Sequence, residues 1–157
     1  MTPLRPSADL LSCRLVTGPD ELASHHWIRH ETFVREQHVF AGSDVDAHDA
    51  REDVLHVVGY CGGVPAGTVR LYPLDESGRT WQGDRLAVLP EFRHLGLGAP
   101  LVRFAVATAG RLGGASMNAH VQVVNERFFT RLGWIRQGDV ELYAGRPHLL
   151  MTIALDS

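Results

Sequence analysis

The sequence predicts one mixed α/β layered domain, helices packed on a central sheet, and three observations carry that expectation. Its 157 residues, at a nominal ~150 per domain, allow one continuous core, and 45% hydrophobic with 21% charged residues is the make-up of a soluble globule. Strand-like and helix-like segments follow one another in the order βαββ-β-αβ-αββ. Turn chemistry separates them, above all at Gly62-Gly63 and at Gly96-Leu97-Gly98. The domain is expected over 11–157, behind a flexible segment at 1–10.

Each element has a local reason. Leu11 to Thr17 reads as a strand stopped by Gly18-Pro19. Pro19-Asp20-Glu21 then opens a helix, with proline in the first turn and acids at the positive end of the dipole. Leu22, Trp27, Ile28 and Phe33 are its expected buried stripe, and it fades near Gln37. Residues 41–53 lack periodicity and read as an acidic loop. Val54 to Tyr60 and Pro65 to Leu74 form a hairpin about Gly62-Gly63. Trp81 to Leu89 is a strand ended by Pro90. Gly98 to Leu112 is helical with Pro100 in its first turn, and Leu101, Ala105, Thr108 and Leu112 fall on one side. Ala115 to Gln122 is a strand, and Asn125 to Leu132 a short helix closed by Gly133. Trp134 to Tyr143 and His148 to Leu155 form a last hairpin about Ala144-Gly145-Arg146-Pro147.

Charge and cysteine usage exclude several functions. Fifteen Lys and Arg against eighteen Asp and Glu give a net charge of −3, which argues against a general nucleic-acid binder. No tract approaches the ~20 apolar residues of a membrane span, and residues 1–10 do not read as a secretory signal. The two cysteines, Cys13 and Cys61, fit neither a metal motif nor a disulfide framework, so both are expected as free thiols in the cytoplasm.

The strongest chemical signal is Arg93-His94-Leu95-Gly96-Leu97-Gly98-Ala99, between the fourth strand and its helix. Glycines at 96 and 98 let backbone approach a ligand where a Cβ would intrude. Free N–H groups at a helix start form an anion site, and Arg93 adds charge-assisted bonds. A third glycine for a dinucleotide fingerprint is missing, as is the Lys-Ser/Thr of a P-loop.

Together with the strand before it, this segment, Leu86 to Gly98, resembles the acetyl-CoA pyrophosphate motif of the Gcn5-related N-acetyltransferases, the GNAT family. Asn125 and Phe128-Phe129-Thr130-Arg131-Leu132-Gly133-Trp134 are similar to that family's Asn…Phe-Tyr-x-x-Leu-Gly-Phe segment. Phe33-Val34-Arg35-Glu36-Gln37, Trp81 to Val88, and Pro147-His148-Leu149-Leu150-Met151 resemble a bacterial subgroup that includes relatives of the ElaA type. The resemblance covers residues 11–155. It implies a mixed, mostly antiparallel sheet flanked by helices, with a splayed cleft between the fourth and fifth strands. It further implies an acetyl-CoA-dependent N-acetyltransferase in which a small-molecule amine attacks the thioester directly. Leu86, Ala87 and Val88 would pair with the pantetheine arm as an added strand would. The amides from His94 through Ala99 would hold the pyrophosphate, and Asn125 would reach the pantetheine or phosphate region. No metal, membrane or nucleic acid is implied, and a homodimer stays open. A CoA-binding module without activity and a transferase of longer acyl groups are the alternatives.

One departure concerns catalysis. Where the family often has a tyrosine to protonate the leaving thiolate, this chain has Phe129, which has no proton to give and packs on the pantetheine arm instead. Asn118, His120 and Gln122 form a polar face on a strand that a layered fold would make apolar on both sides, which places that face in the cleft. His120 is the expected general base, since imidazole titrates near neutrality. Asp84 is its rival, on the face of Leu86 and Val88 if the strand is regular and on the opposite face if it bulges. Glu36 is a third candidate, for binding the amine.

The acidic loop Asp44-Val45-Asp46-Ala47-His48-Asp49 departs from an EF-hand at its sixth position, where Asp49 replaces glycine. It reads either as a solvated loop or as a negative rim over the acceptor site. His25, His26, His30 and His38 are expected on the exposed side of the first helix.

Overall fold

The computed structural model describes residues 10–143 and 145–156, so residues 1–9 of the segment expected at 1–10, together with Ala144, lie outside it. Within it the strands are β1 (Leu11–Leu15), β2 (Leu55–Cys61), β3 (Val64–Pro73), β4 (Thr80–Val88), β5 (Ser116–Gln122), β6 (Ile135–Tyr143) and β7 (Arg146–Ala154). The α-helices are α1 (Pro19–Arg29), which continues as a π-helix over His30–Glu36, then α2 (Gly98–Arg111) and α3 (Glu126–Arg131). One sheet orders the strands β1-β2-β3-β4-β5-β7-β6. Every pairing is antiparallel except β4 with β5.

Strand alternation sorts residues between the two faces. Val57, Val69, Leu71, Met117, Ala119 and Val121 meet Leu101, Val102 and Ala105 of α2 in the main core. Gly67 lets α2 come close: a Cβ there would lie 2.8 Å from the Ala87 carbonyl and 2.9 Å from Leu101. Leu112 does not join this stripe and is 58% exposed, because the helix ends at Arg111 and Leu112 serves as its cap. On the other face Ile28 packs with Ala87 and Leu89, while Trp27 is 55% exposed, so the expected stripe of α1 is rotated away from the tryptophan.

Two irregularities open the sheet. Parallel pairing of β4 with β5 covers only Thr80, Trp81 and Gln82 against Ser116, Met117 and Asn118, after which the strands diverge. At Arg85 the backbone turns to φ +53° and the β3–β4 register shifts. This bulge swaps faces: Leu86 and Val88 pack on the main core, whereas Asp84 turns toward Arg70 on the α1 side. The regular-strand expectation that Asp84 shares the face of Leu86 is therefore corrected.

Candidate functional site

Beyond the point where β4 and β5 part lie two connected hollows. The first is an open groove of about 570 Å³ lined by Leu86, Ala87, Val88, Arg93, Gly96, Gly98, Ala99, Asn125 and Phe129, all singled out from the sequence. His94 and Leu95 belong instead to a 3₁₀ turn, Pro90–Leu95, whose geometry engages their amides, and the Gly96 N–H meets the Arg93 carbonyl at 3.3 Å. The first intrahelical bond of α2 runs from the Leu101 N–H to the Leu97 carbonyl at 3.2 Å. The amides of Leu97, Gly98 and Ala99 precede it, and Pro100 has none to leave unpaired. The amides available to an anion thus narrow to three among those expected, with the Leu97 side chain itself buried in the core. Gly96 stands at φ +77°, a turn that favours glycine.

Arg93 is already engaged. Its Nε donates to the Val88 carbonyl at 2.9 Å and its two terminal nitrogens donate to Glu36 at 2.7 and 2.5 Å. Hydrogen bonds from that guanidinium hold the Glu36 carboxyl below the usual carboxylate range. Glu36 therefore faces the groove's basic residue and does not line the second hollow, which corrects its expected place beside the amine.

The second hollow, of about 130 Å³, passes through the gap between β4 and β5. Leu86, Gln122, Asn125 and Phe129 line both hollows and mark their junction. On the α1 side its wall carries the polar groups Asp84, Arg85, His120, Tyr143 and His148, with Phe33, Val39 and Phe40 beside them. His120 stacks parallel to Tyr143 with ring centroids 4.6 Å apart, and its Nδ1 lies 3.4 Å from Glu141 without the alignment of a hydrogen bond. Asp84 accepts two 2.7 Å bonds from Arg70 and one of 3.2 Å from the Tyr72 hydroxyl, so both its oxygens are committed. His120 Nδ1, by contrast, has no hydrogen-bond partner among the described residues.

Around this wall lies a lattice of buried charges that sequence reasoning missed. Arg29 donates to Asp44 at 2.6 Å and to Asp49 at 2.7 and 3.0 Å. Arg70 donates to Asp46 at 2.7 and 3.1 Å as well as to Asp84. Arg85 reaches Asp44 at 3.0 Å and Asp46 at 3.2 Å, and sits over the Phe40 ring at 4.5 Å. The acidic loop is thus neither a solvated loop nor a free negative rim: its aspartates are the counter-ions of three guanidiniums. Burial would raise the Asp46 carboxyl, but hydrogen bonds from Arg70 outweigh it and hold the group at about 2. Asp49 is held lower still, for the same reason, by Arg29.

His25 is fully buried, against the expectation of an exposed helix face. Its Nδ1–H donates to the Val57 carbonyl at 3.0 Å, and its Nε2 accepts from Arg29 at 3.3 Å and from His56 at 3.1 Å, a tautomer assigned from these partners. Burial, then the neighbouring His56, pushes it down to about 2. His26, Asp49 and His56 place ligand-type atoms within 4.8 Å of one another, but the Asp49 carboxylate is already paired with Arg29 and Arg70. The polar alternation Thr68, Arg70, Tyr72 on β3 is the signal that reveals this lattice, as the alternation on β5 reveals His120. Tyr143 carries no such signal, since only the insertion of β7 between β5 and β6 brings it near His120.

The acetyltransferase (GNAT) family model matches residues 20–134. The uncharacterized N-acetyltransferase YjcF of Bacillus subtilis is 33% identical over 141 residues, 87% of this chain and 95% of that protein. Escherichia coli ElaA superposes with a TM-score of 0.80 at 20% identity, covering 90% of this chain and 98% of that one. An acyl-CoA N-acyltransferase from Pseudomonas aeruginosa gives 0.77 at 25% identity, over 90% and 97% of the two chains. Among the described residues no helix is long and apolar enough to cross a membrane.

Proposed function

The chain belongs to the acetyltransferase (GNAT) family, and from that premise we propose that it transfers an acyl group, acetyl in the simplest case, from CoA to the amine of a small molecule. The observation that carries this reading is the junction of the two hollows at Leu86, Gln122, Asn125 and Phe129. A thioester at that junction has its CoA arm in the groove and its carbonyl facing the polar wall.

CoA docks by its pyrophosphate on the amides of Leu97, Gly98 and Ala99 at the start of α2, with the arm running along Leu86 to Val88. The amine enters as an ammonium. Three guanidiniums against four carboxylates (Asp44, Asp46, Asp49, Asp84) leave one negative charge in the lattice behind the cavity, which favours a cation. His120 removes the ammonium proton, and the freed nitrogen attacks the thioester carbon. The attacking nitrogen, now positively charged, gives up its second proton to water, the tetrahedral intermediate collapses with cleavage of the C–S bond, and the thiolate takes a proton that solvent later restores to its donor. Phe129 has none to give, so Tyr143, the one phenol among the described residues lining the cavity, supplies it. The products are an amide and free CoA. The free thiols Cys13 and Cys61 support a cytoplasmic setting, and the acceptor is a small amine.

The reading is tested by calorimetric titration of acetyl-CoA into the protein and into Gly98→Val. A Cβ at 98 already meets Phe128 at 3.3 Å, so the valine intrudes on the groove while the helix persists. Binding by the parent and at least tenfold weaker binding by a folded Gly98→Val support the site. Equal affinity in both places CoA elsewhere.

A further inference from the structure

The cavity between β4 and β5 has two unlike halves, and the reaction as proposed uses only the polar one. On the α2 side of the gap the same hollow is lined by Val69, Val102, Ala105, Met117, Ala119 and Trp134, all buried side chains of the main core. Interiors pack densely, with few voids larger than a water molecule, so an apolar hollow here calls for an occupant. Small residues make it: Ala105 on α2 and Ala119 on β5 stand among valines, leucines and methionines.

We propose that this apolar half receives the acyl chain of the donor, and that the enzyme prefers straight or branched acyl groups of about four to six carbons to acetyl. The inference rests on the acyltransferase reading and specifies its donor. Three features fix the occupant. The hollow is continuous with the CoA groove at Leu86, Gln122, Asn125 and Phe129, where the thioester lies. An ammonium would find no counter-charge among these side chains, so the acceptor stays on the Asp84 and His120 side. The whole hollow, both halves together, is about 130 Å³, somewhat less than the ~150 Å³ apolar cavities that take up benzene, so a six-carbon chain is the upper bound for its apolar half. Chain and amine thus approach the carbonyl from opposite faces of the sheet, and the chain stays out of the amine's path.

The test is equilibrium binding and thiol release with CoA thioesters from acetyl to decanoyl, in the parent, Ala105→Leu and Ala119→Val. Each methylene buried on the apolar side should strengthen binding up to about fourfold, so affinity climbs by roughly a hundredfold from acetyl to hexanoyl and then stops. Filling the hollow with Ala105→Leu should cut the hexanoyl-to-acetyl ratio of kcat/KM at least tenfold. Ala119→Val, a milder change that suits a strand, should do the same to a smaller extent. Acetyl-CoA bound and consumed with no gain along the series, or a ratio indifferent to a folded Ala119→Val, overturns the donor assignment and leaves the acyltransferase reading standing. Failure of every thioester to bind the folded parent overturns that reading, and this inference with it.

Discussion

On the α2 side of the sheet, β3 turns Val69 and Leu71 to an apolar core; on the α1 side, the same strand turns Arg70 and Tyr72 to a lattice of ion pairs. The two faces are stabilised by different physics. The apolar face is sensitive to volume, and its cost for a lost side chain scales with the hollow left behind. The charged face is sensitive to stoichiometry, since each buried guanidinium answers two or three carboxylates and none can be removed alone. The site lies where the sheet opens between them, so it has an apolar and a charged wall at once.

Removing one member from each face should give the largest effects. Arg70 is fully buried and bonds both Asp46 and Asp84, so Arg70→Leu should cost ~3–5 kcal/mol in urea unfolding by stranding their charges. Arg70→Lys should recover little of it, because an ammonium has no planar fork to serve both partners. On the opposite face, fully buried Leu101→Ala should cost about 3 kcal/mol through its cavity. An Arg70→Leu protein as stable as the parent would show that the lattice is decoration.

Acid should separate the faces next. The His25 imidazole, held at about 2 by burial, stays neutral in the folded protein, whereas the unfolded chain protonates it below about 6.5. The unfolded state then binds the extra proton, so stability is full above pH 6.5 and falls as pH drops toward 2. His56, pushed down to about 4 by burial, adds to the same loss between 6.5 and 4. Asp46, held at about 2, adds a second stage below its ordinary 3.8. Each group contributes at most ~1.4 kcal/mol per pH unit within its window. His25→Gln should flatten the stability slope between pH 6.5 and 4 by about one proton, and an unchanged slope would remove His25 from this account.

A smaller effect is expected where the lattice ends. Glu36 and Arg93 pair at the half-exposed edge of the groove, where such pairs contribute ~0.2–1 kcal/mol. Glu36→Gln should leave stability almost unaltered and strengthen CoA binding a few-fold at low salt by releasing Arg93 to the pyrophosphate. Weaker CoA binding in that variant would mean that Glu36 positions Arg93.

These two faces also differ in what the sequence discloses. The order of elements, the Gly96–Gly98 turn and the residues lining the groove proposed for CoA are local signals, carried by periodicity and glycine placement. Polar alternation on β5 likewise placed His120 and Gln122 along the opening, since a period of two needs no knowledge of partners, but Asn118, expected beside them, is still paired with Gln82 of β4, accepts from the Thr152 hydroxyl at 3.0 Å and lines neither hollow. The charged lattice was hidden because its members come from α1, the 44–49 loop, β3 and β4, and a lone aspartate in a loop looks solvated until its guanidinium is found. His25 and Trp27 were misplaced for a related reason: α1 turns its polar side inward, to the lattice, and leaves its tryptophan outside. The Arg85 bulge reversed Asp84 in a way that residue spacing alone does not fix.

Acyl transfer at the opening of the sheet, as proposed, has His120 take the amine's proton and Tyr143 give one to the thiolate. It is tested most directly by the pH profile of CoA thiol release from an acyl-CoA and a panel of small amines, in the parent, His120→Gln and Tyr143→Phe. The parent should give a bell-shaped kcat/KM. His120→Gln should lower it on the order of a hundredfold and flatten the acid limb, Tyr143→Phe should flatten the basic limb, and CoA affinity should hold in both. Parent-like rates with both limbs intact in the two variants would contradict the claim.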